Sequence, residues 1–399
     1  MKYIVMLADG MADYPVEKLN GKTPMMVANK PNMDSLAAKA VVGTVKTVPD
    51  SMKPGSDVAN LSAMGYDPTT CYTGRSPLEA MSIGIDMNET DIAFRCNLVT
   101  LSENEPYDEK TMVDYSSQEI TTAEASKIID TLNEKLSDDE IHFYCGISYR
   151  HCMIWHNGPM NLGLTPPHDI SDKKITQYVP KNAKLYNIMK KSVEILKDHP
   201  VNAERRKKGL NPASAIWLWG EGTRPAIPNF RKKFGLDGAA ISAVDLIKGI
   251  GITAGLDVIN VEGATGNITT NFANKGKAAL KALLEGKDYV YIHVEAPDEC
   301  GHRGEVENKI KSIELIDRDI IGPLTRGLEK AGEEYSILVM PDHPTPIATK
   351  THARDAVPFL ICRSTKPENG TKGFDENIAK TTGLYVENGP ALSKLFLEK

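Results

Sequence analysis

Short apolar runs closed by turn residues recur along the chain and read as strands buried on both faces. The first is Tyr3-Ile-Val-Met-Leu7, followed at once by Ala8-Asp9-Gly10. Far downstream come Tyr289-Val-Tyr-Ile-His-Val294 before Glu295-Ala-Pro-Asp298, and Tyr335-Ser-Ile-Leu-Val-Met340 before Pro341-Asp342-His343. A fourth, Val357-Pro-Phe-Leu-Ile-Cys362, follows a loop that holds His352. Between the second and third runs, Ile310, Ile313, Ile316 and Ile320 recur every three to four residues, which predicts a helix with one apolar face on the sheet. Another helix is expected over 274–284. Strands alternating with helices predict an α/β fold, a mainly parallel sheet flanked by helices.

The pattern changes between about Asp86 and Arg231, where the sequence is more polar and mixed. Residues 91–100 predict a strand, 122–136 a helix and 215–219 a strand, so this stretch reads as an inserted α+β domain. The expected division is 1–86 plus 232–399 for a discontinuous first domain and 87–231 for the insertion. The turn-rich stretches 157–167 and 220–228 are expected to be loops facing a cleft. There is no internal repeat and no low-complexity segment.

A length of 399 residues implies two or three domains at about 150 residues each. With 41% hydrophobic and 25% charged residues, wholesale disorder is excluded. Forty-seven Lys and Arg against fifty-three Asp and Glu leave a net charge of −6, which favours neither nucleic acid nor an anionic membrane as partner. No apolar run approaches the ~18 residues that span a bilayer. The N-terminal run stops at Asp9, shorter than the ~7–15 residue core of a signal peptide. Cys71, Cys96, Cys145, Cys152, Cys300 and Cys362 are scattered, with no C-x-x-C pair, so a reducing cytoplasm is the expected compartment. The oligomeric state is left open.

In open parallel sheets, ligands bind outside the carboxyl ends of the strands. Three of the predicted strands end in potential metal ligands: Asp9, then Asp298 with His302, then Asp342 with His343. His352 precedes the fourth strand and can reach the same edge. Each alone has an ordinary reading, since an Asp after a strand commonly forms a turn or caps a helix. Their coincidence points further, because a purely structural account needs each buried carboxylate to be paired separately. Carboxylate and imidazole donors suit Zn²⁺ or Mn²⁺ better than an all-oxygen Mg²⁺ or Ca²⁺ site. One more element, Pro54-Gly55-Ser56-Asp57, has two readings. Ser56 is either a helix N-cap or a hydroxyl at a phosphate-attracting helix N-terminus that becomes a nucleophile beside a metal.

The chain resembles the alkaline phosphatase superfamily of two-metal phosphotransferases, and more narrowly the archaeal-type cofactor-independent phosphoglycerate mutases. The matching pieces are A-D-G-M-A-D, V-P-D-S-M-K-P-G-S-D-V-A-N-L-S-A-M-G-Y-D-P, G-R-S-P-L-E-A, I-S-A-V-D-L-I-K-G-I-G, V-E-A-P-D-E-C-G-H, P-D-H-P-T-P and T-H-A-R-D-A-V-P-F. They span nearly the whole chain in the family's order. The resemblance implies an alkaline-phosphatase-like fold and two divalent metal ions, Mn²⁺ or Zn²⁺ first and Mg²⁺ second. One ion would be held by Asp9, Ser56, Asp342 and His343, the other by Asp298, His302 and His352. Ser56 would be phosphorylated and dephosphorylated in each cycle. Family members bring arginines and a histidine of the inserted domain onto the substrate, and Arg95, Arg150, His151 and Arg224 are the candidates here. Lys248 is the lysine expected to reach the site, and His168 with Asp169 is a further candidate pair, Asp169 as a general base.

The activity so implied interconverts 3-phosphoglycerate and 2-phosphoglycerate on a small phosphorylated substrate, with the inserted domain closing to keep water from phosphorylated Ser56. A rival keeps the site and changes the substrate, as in a homoserine kinase, although no G-x-x-x-x-G-K-[ST] loop is present. A metal-dependent phosphomonoesterase and a non-catalytic metal-stabilised scaffold complete the alternatives. The basic runs 205–208 and 231–233 are expected to be solvated surface, and His142, His156 and His199 have no evident partner in the sequence.

Overall fold

Lys2 to Ala8 enter the fold as a strand in which every side chain from Tyr3 onward is buried, as a nearly unbroken apolar run requires. The computed structural model describes residues 1–398. In chain order the strands are β1 (Lys2–Ala8), β2 (Val41–Val45), β3 (Asp91–Leu101), β4 (Met112–Asp114), β5 (Ile141–Ile147), β6 (Arg150–His156) and β7 (Ala215–Thr223). They continue with β8 (Gly238–Ile241), β9 (Asp257–Val258), β10 (Tyr289–Val294), β11 (Tyr335–Met340), β12 (Val357–Arg363) and β13 (Tyr385–Val386). The chain divides into two compact units, one of Met1–Tyr72 with the stretch from Ala226 onward, the other of Thr73–Pro225.

The first unit holds an eight-stranded sheet in the order β13-β2-β12-β11-β1-β10-β8-β9. β1 pairs in parallel with β10 and β11, and β10 with β8. β12 is antiparallel to both of its neighbours, β11 and β2. That single reversal matters: the loop entering β12, which carries His352, opens at the edge where β1, β10 and β11 end. The predicted isoleucine helix forms over Val306–Leu315 and continues through a π-type segment, Ile316–Ile321. Its Ile313, Ile316 and Ile320 are fully buried in one core with Ile4, Met6, Val290, Ile292, Ile337 and Val339. Burial of each such side chain is worth roughly 1.5–3 kcal/mol. The helix expected over 274–284 runs over Phe272–Leu284.

The second unit is built on a five-stranded antiparallel sheet, β4-β3-β6-β5 with β7 on the other side of β3. The helix Thr122–Leu136 starts at a capping box in which Thr121 and Glu124 satisfy each other's backbone N–H groups, and it buries Ala125, Ile128, Ile129 and Leu132. The core also takes in Phe94, Phe143, Met153 and Trp217.

The units divide at 72/73 and 225/226, not at the expected 86/87 and 231/232. The helix Arg75–Ser82 belongs to the second unit because Ser76 donates to the Gly220 carbonyl and Thr73 to that of Thr223. Conversely, Phe230 stacks on Tyr289 of the first unit, with ring centroids 4.5 Å apart. The expected loop 220–228 is strand as far as Thr223. Arg205 is not solvated surface either: it is buried, pairs with Glu124 at 2.9 Å and donates to the Ser117 and Asn211 carbonyls. His156 pairs with Asp91 at 2.6 Å and His199 caps the helix Pro200–Lys207, so both histidines have local structural partners.

Candidate active site

The register of the first sheet places the candidate ligands. Leu7 is paired with His293 on one side and Met340 on the other. Side chains two residues apart in a strand share a face, so Asp9 and Asp342 emerge just past the strand ends on the face that carries His293. The backbone turns sharply at Gly10, where φ is +60° and a Cβ would stand 2.7 Å from the Asp298 Cα. Only glycine fits there.

Asp342 is held at both oxygens. Oδ1 accepts from the backbone N–H groups of Gly10, at 3.1 Å, and His343, at 2.8 Å. Oδ2 accepts from Asn60 at 2.8 Å, and Asn60 is fixed in turn by the Tyr291 hydroxyl. Asp9 is held at one oxygen only. His293 Nε2 lies 2.8 Å from its Oδ2, whereas Oδ1 is buried with no hydrogen-bond partner among the described residues.

Asp298 and His302 lie four apart on the helix Ala296–Arg303, which brings His302 Nε2 to 3.3 Å from Asp298 Oδ2. His352 Nε2 stands 3.5 Å from Asp298 Oδ1 and 3.0 Å from His302 Nε2. His302 Nδ1 is 2.9 Å from the Lys350 carbonyl. That contact keeps a proton on Nδ1 and turns Nε2 inward, the arrangement of a metal-ligating imidazole. Thr345 donates to Asp298 Oδ1 and sits 3.2 Å from His343 Nδ1.

Two sets of ligand atoms converge to within 4.8 Å of one another: Asp9, Asp342 and His343, and Asp298, His343 and His352. His343 stands in both. The arrangement is electrostatically tense. Burial pushes the Asp9 carboxyl well above the usual range, and the charges of Asp342, Asp298 and Glu295 push it the same way. Burial also works to raise Asp298, but hydrogen bonds from His302 and His352 overcome it and hold the group low. The hydrogen bond to Asp298 raises His302 to about 9. Histidine protons here supply positive charge that a divalent cation would supply instead. An orphaned carboxylate oxygen among further buried carboxylates and inward-facing imidazoles fits such a cation.

Ser56 opens the helix Ser56–Ala63, whose N-cap is Gly55, so its hydroxyl is not spent on capping. It is half-buried, and Oγ lies 3.2 Å from His343 Nε2. The positive end of that helix suits a phosphate, although the Val58 N–H is already taken by Asp57 Oδ1 at 2.8 Å.

The remaining candidates are dispersed. Lys248 is half-buried on the helix Asp245–Thr253 of the first unit. In the second unit the Arg95 guanidinium stacks 4.3 Å over Trp219 and pairs with Glu79 at 2.9 Å. The His168 ring is 5.4 Å from the same Trp219 and 6.1 Å from Tyr115. Tyr115 leads on to Tyr149 and Arg150. Arg150 and His151 are successive residues of β6 and face opposite sides of the sheet: Arg150 is exposed and His151 buried. One ligand cannot be held by both from one face. Asp169 is 61% exposed, 3.7 Å from His168, and Arg224 is exposed, 4.0 Å from Asp86.

His293, Asn60, Tyr291 and Thr345 were not singled out in the sequence. A signal for two of them was there: in Tyr289–Val294 the polar-capable Tyr289, Tyr291 and His293 alternate with Val290, Ile292 and Val294. That alternation marks a face with work other than core packing.

A sequence model described as 2,3-bisphosphoglycerate-independent phosphoglycerate mutase matches residues 37–202. The probable 2,3-bisphosphoglycerate-independent phosphoglycerate mutase of Geobacter sulfurreducens is 49% identical over 403 residues, covering 100% of both chains. The 2,3-bisphosphoglycerate-independent phosphoglycerate mutase of Methanosarcina mazei is 50% identical over 392 residues and 96% of each chain. Among solved structures, the PH0037 protein of Pyrococcus horikoshii superposes with a TM-score of 0.83 at 31% identity, over 99% of this chain and 96% of that one. The cofactor-independent phosphoglycerate mutase of Thermoplasma acidophilum shares the fold, with a TM-score of 0.69 at 24% identity over 100% and 99% of the two chains. The family is metal-dependent, using divalent ions. No helix among the described residues is long and apolar enough to cross a membrane. Identity of this extent over full length leaves one assignment: the chain belongs to the 2,3-bisphosphoglycerate-independent phosphoglycerate mutase family.

Proposed function

We propose that the protein interconverts 3-phosphoglycerate and 2-phosphoglycerate without 2,3-bisphosphoglycerate, by way of phosphorylated Ser56. The observation that carries the reading is the uncapped Ser56 hydroxyl at a helix N-terminus, 3.2 Å from His343 Nε2, in a chain of this family. We assign Asp9, Ser56, Asp342 and His343 to one divalent cation and Asp298, His302 and His352 to the other, with His343 within reach of both groups. Carboxylate and imidazole donors without thiolate favour Mn²⁺ or Zn²⁺ over Mg²⁺. Cations bound there neutralise phosphoryl charge and acidify the hydroxyl beside them.

The chain's own residues do the rest. The N–H groups opening the helix Ser56–Ala63 orient the phosphate in line with Ser56 Oγ. A bond forms between Oγ and phosphorus as the ester bond to the substrate oxygen breaks, and the serine proton ends on that oxygen. The second half runs in reverse onto the neighbouring hydroxyl of glycerate. In the second unit, Arg95 and Arg150 have the planar fork suited to a carboxylate or phosphate, and His168 shares their aromatic cluster. The six cysteines are all free thiols, in keeping with a reducing cytoplasm.

The test is a coupled assay with 3-phosphoglycerate and no bisphosphoglycerate, run beside one with homoserine and ATP. Acid-quenched protein is then analysed for phosphate on Ser56. The expected result is turnover of phosphoglycerate alone, with phosphoserine in the wild type and none in Ser56→Ala, which keeps its fold. Mutase turnover in Ser56→Ala, or phosphorylation of homoserine instead, overturns the proposal.

A further inference from the structure

Behind the Asp9 carboxylate lies a buried chain of polar groups that no step of the proposed reaction uses. His293 on β10 is completely buried, with Nε2 at 2.8 Å from Asp9 Oδ2 and Nδ1 at 3.0 Å from the Ser242 hydroxyl oxygen. Ser242 Oγ already accepts the Val244 N–H at 2.9 Å, so its own hydrogen is free to donate to Nδ1. An ionised Asp9 can only accept. With Asp9 ionised, as it must be to ligate a cation, the assignment runs from Ser242 O–H to His293 Nδ1 and from His293 Nε2–H to Asp9 Oδ2. From below, the buried Lys275 donates to the His293 carbonyl at 3.0 Å and fixes the backbone at that point. The carboxylate that results has one satisfied oxygen and one, Oδ1, with no hydrogen bond among the described residues, His343 Nε2 standing 3.7 Å from it.

We infer that His293 is a positioning residue for Asp9: it fixes the carboxylate through Oδ2 and leaves Oδ1 as the atom presented to a divalent cation. The inference rests on the reading of Asp9 as a metal ligand. Its physical content is preorganisation. A carboxylate free to rotate in a site that also contains Asp342 and Asp298 must be ordered at each binding event, and outer-sphere donors of this kind typically govern 10–100-fold in metal affinity. Asp342 is held by the same device from the same strand, through Asn60 and Tyr291, so β10 supports the carboxylates that follow both β1 and β11.

The test is Mn²⁺ titration followed by electron paramagnetic resonance, on the full chain freed of metal. Glutamine reaches the Nε2 position with an N–H donor, so His293→Gln keeps the interaction and His293→Leu removes it. Wild type and His293→Gln are expected to bind two equivalents alike. His293→Leu is expected to weaken one equivalent by 10–100-fold and leave the other unchanged. A His293→Leu protein that binds both equivalents as wild type, or weakens both together, overturns the inference, as does a His293→Gln protein no better than His293→Leu. Asp9→Asn separates the two readings. If it loses one equivalent while His293→Leu loses none, only the positioning role fails. If Asp9→Asn itself keeps both equivalents, the ligand assignment of Asp9 fails as well.

Discussion

Asn60 donates its side-chain amide to Asp342 Oδ2 at 2.8 Å while standing one helical turn beyond Ser56, whose carbonyl accepts the same amide nitrogen at 2.8 Å. The segment that carries the candidate nucleophile is thereby tied to a candidate ligand through one buried side chain.

Replacing Asn60 by Leu removes a donor from a buried carboxylate and strands the Tyr291 hydroxyl, which donates to Asn60 Oδ1 at 2.7 Å. Turnover is expected to fall 10–100-fold in Asn60→Leu. Tyr291→Phe removes only the outer hydrogen bond, and a stability loss of about 1 kcal/mol is expected by chemical denaturation, with activity reduced less than in Asn60→Leu. Equal activities in the two variants would detach Asn60 from the site.

Removal of divalent metal is expected to abolish mutase turnover and lower the melting temperature, because the crowded carboxylates of Asp9, Asp342 and Asp298 then lose their counter-charge. A cation at a hundred times its Kd stabilises by about 2.7 kcal/mol per site. Adding back Mn²⁺ restores both properties, read by coupled assay and thermal melt. Undiminished turnover after exhaustive chelation and dialysis is the contrary result.

Lys309 is fully buried and donates to Asp13 Oδ2 at 2.7 Å and to the Thr345 carbonyl at 2.9 Å. Lys309→Met leaves Asp13 charged and without its cation, which is expected to cost about 3–5 kcal/mol in denaturant titrations. The double variant with Asp13→Leu removes both charges and should recover much of the loss. A double variant less stable than Lys309→Met contradicts this account.

His151 gives a pH dependence whose sign can be worked out. Burial lowers it from 6.5 to about 4, and its Nε2 is buried with no partner among the described residues. Between those two values the unfolded chain binds a proton that the folded chain does not, so stability rises with pH across the window and levels off above it. The contribution present above pH 6.5 and lost by about pH 4 is roughly 3 kcal/mol. His151→Gln should flatten that part of the profile, measured by denaturant unfolding from pH 4.5 to 7.5. An unchanged slope would place the titration elsewhere.

Much of the fold was written locally. The runs that became β1, β10 and β11 are apolar over enough consecutive residues to be strands in almost any context, and the isoleucines at 313, 316 and 320 fix a helical face by spacing alone. The residue types at the strand ends, Asp9, Asp298, Asp342 and His343, were equally plain. What they meet was not. Asp9 touches His293 across 284 positions of sequence, and His352 reaches Asp298 because β12 runs against its neighbours. The separation of Arg150 from His151 and the transfer of Arg75–Ser82 to the second unit were likewise settled by pairing. Periodicity is a property of neighbours along the chain, whereas the partner of a buried charge is chosen by strand order and register. The sequence by itself determined which elements form and which chemical groups they carry; the tertiary structure decided which of those groups face one another, because only the packed sheet brings distant strand ends within reach.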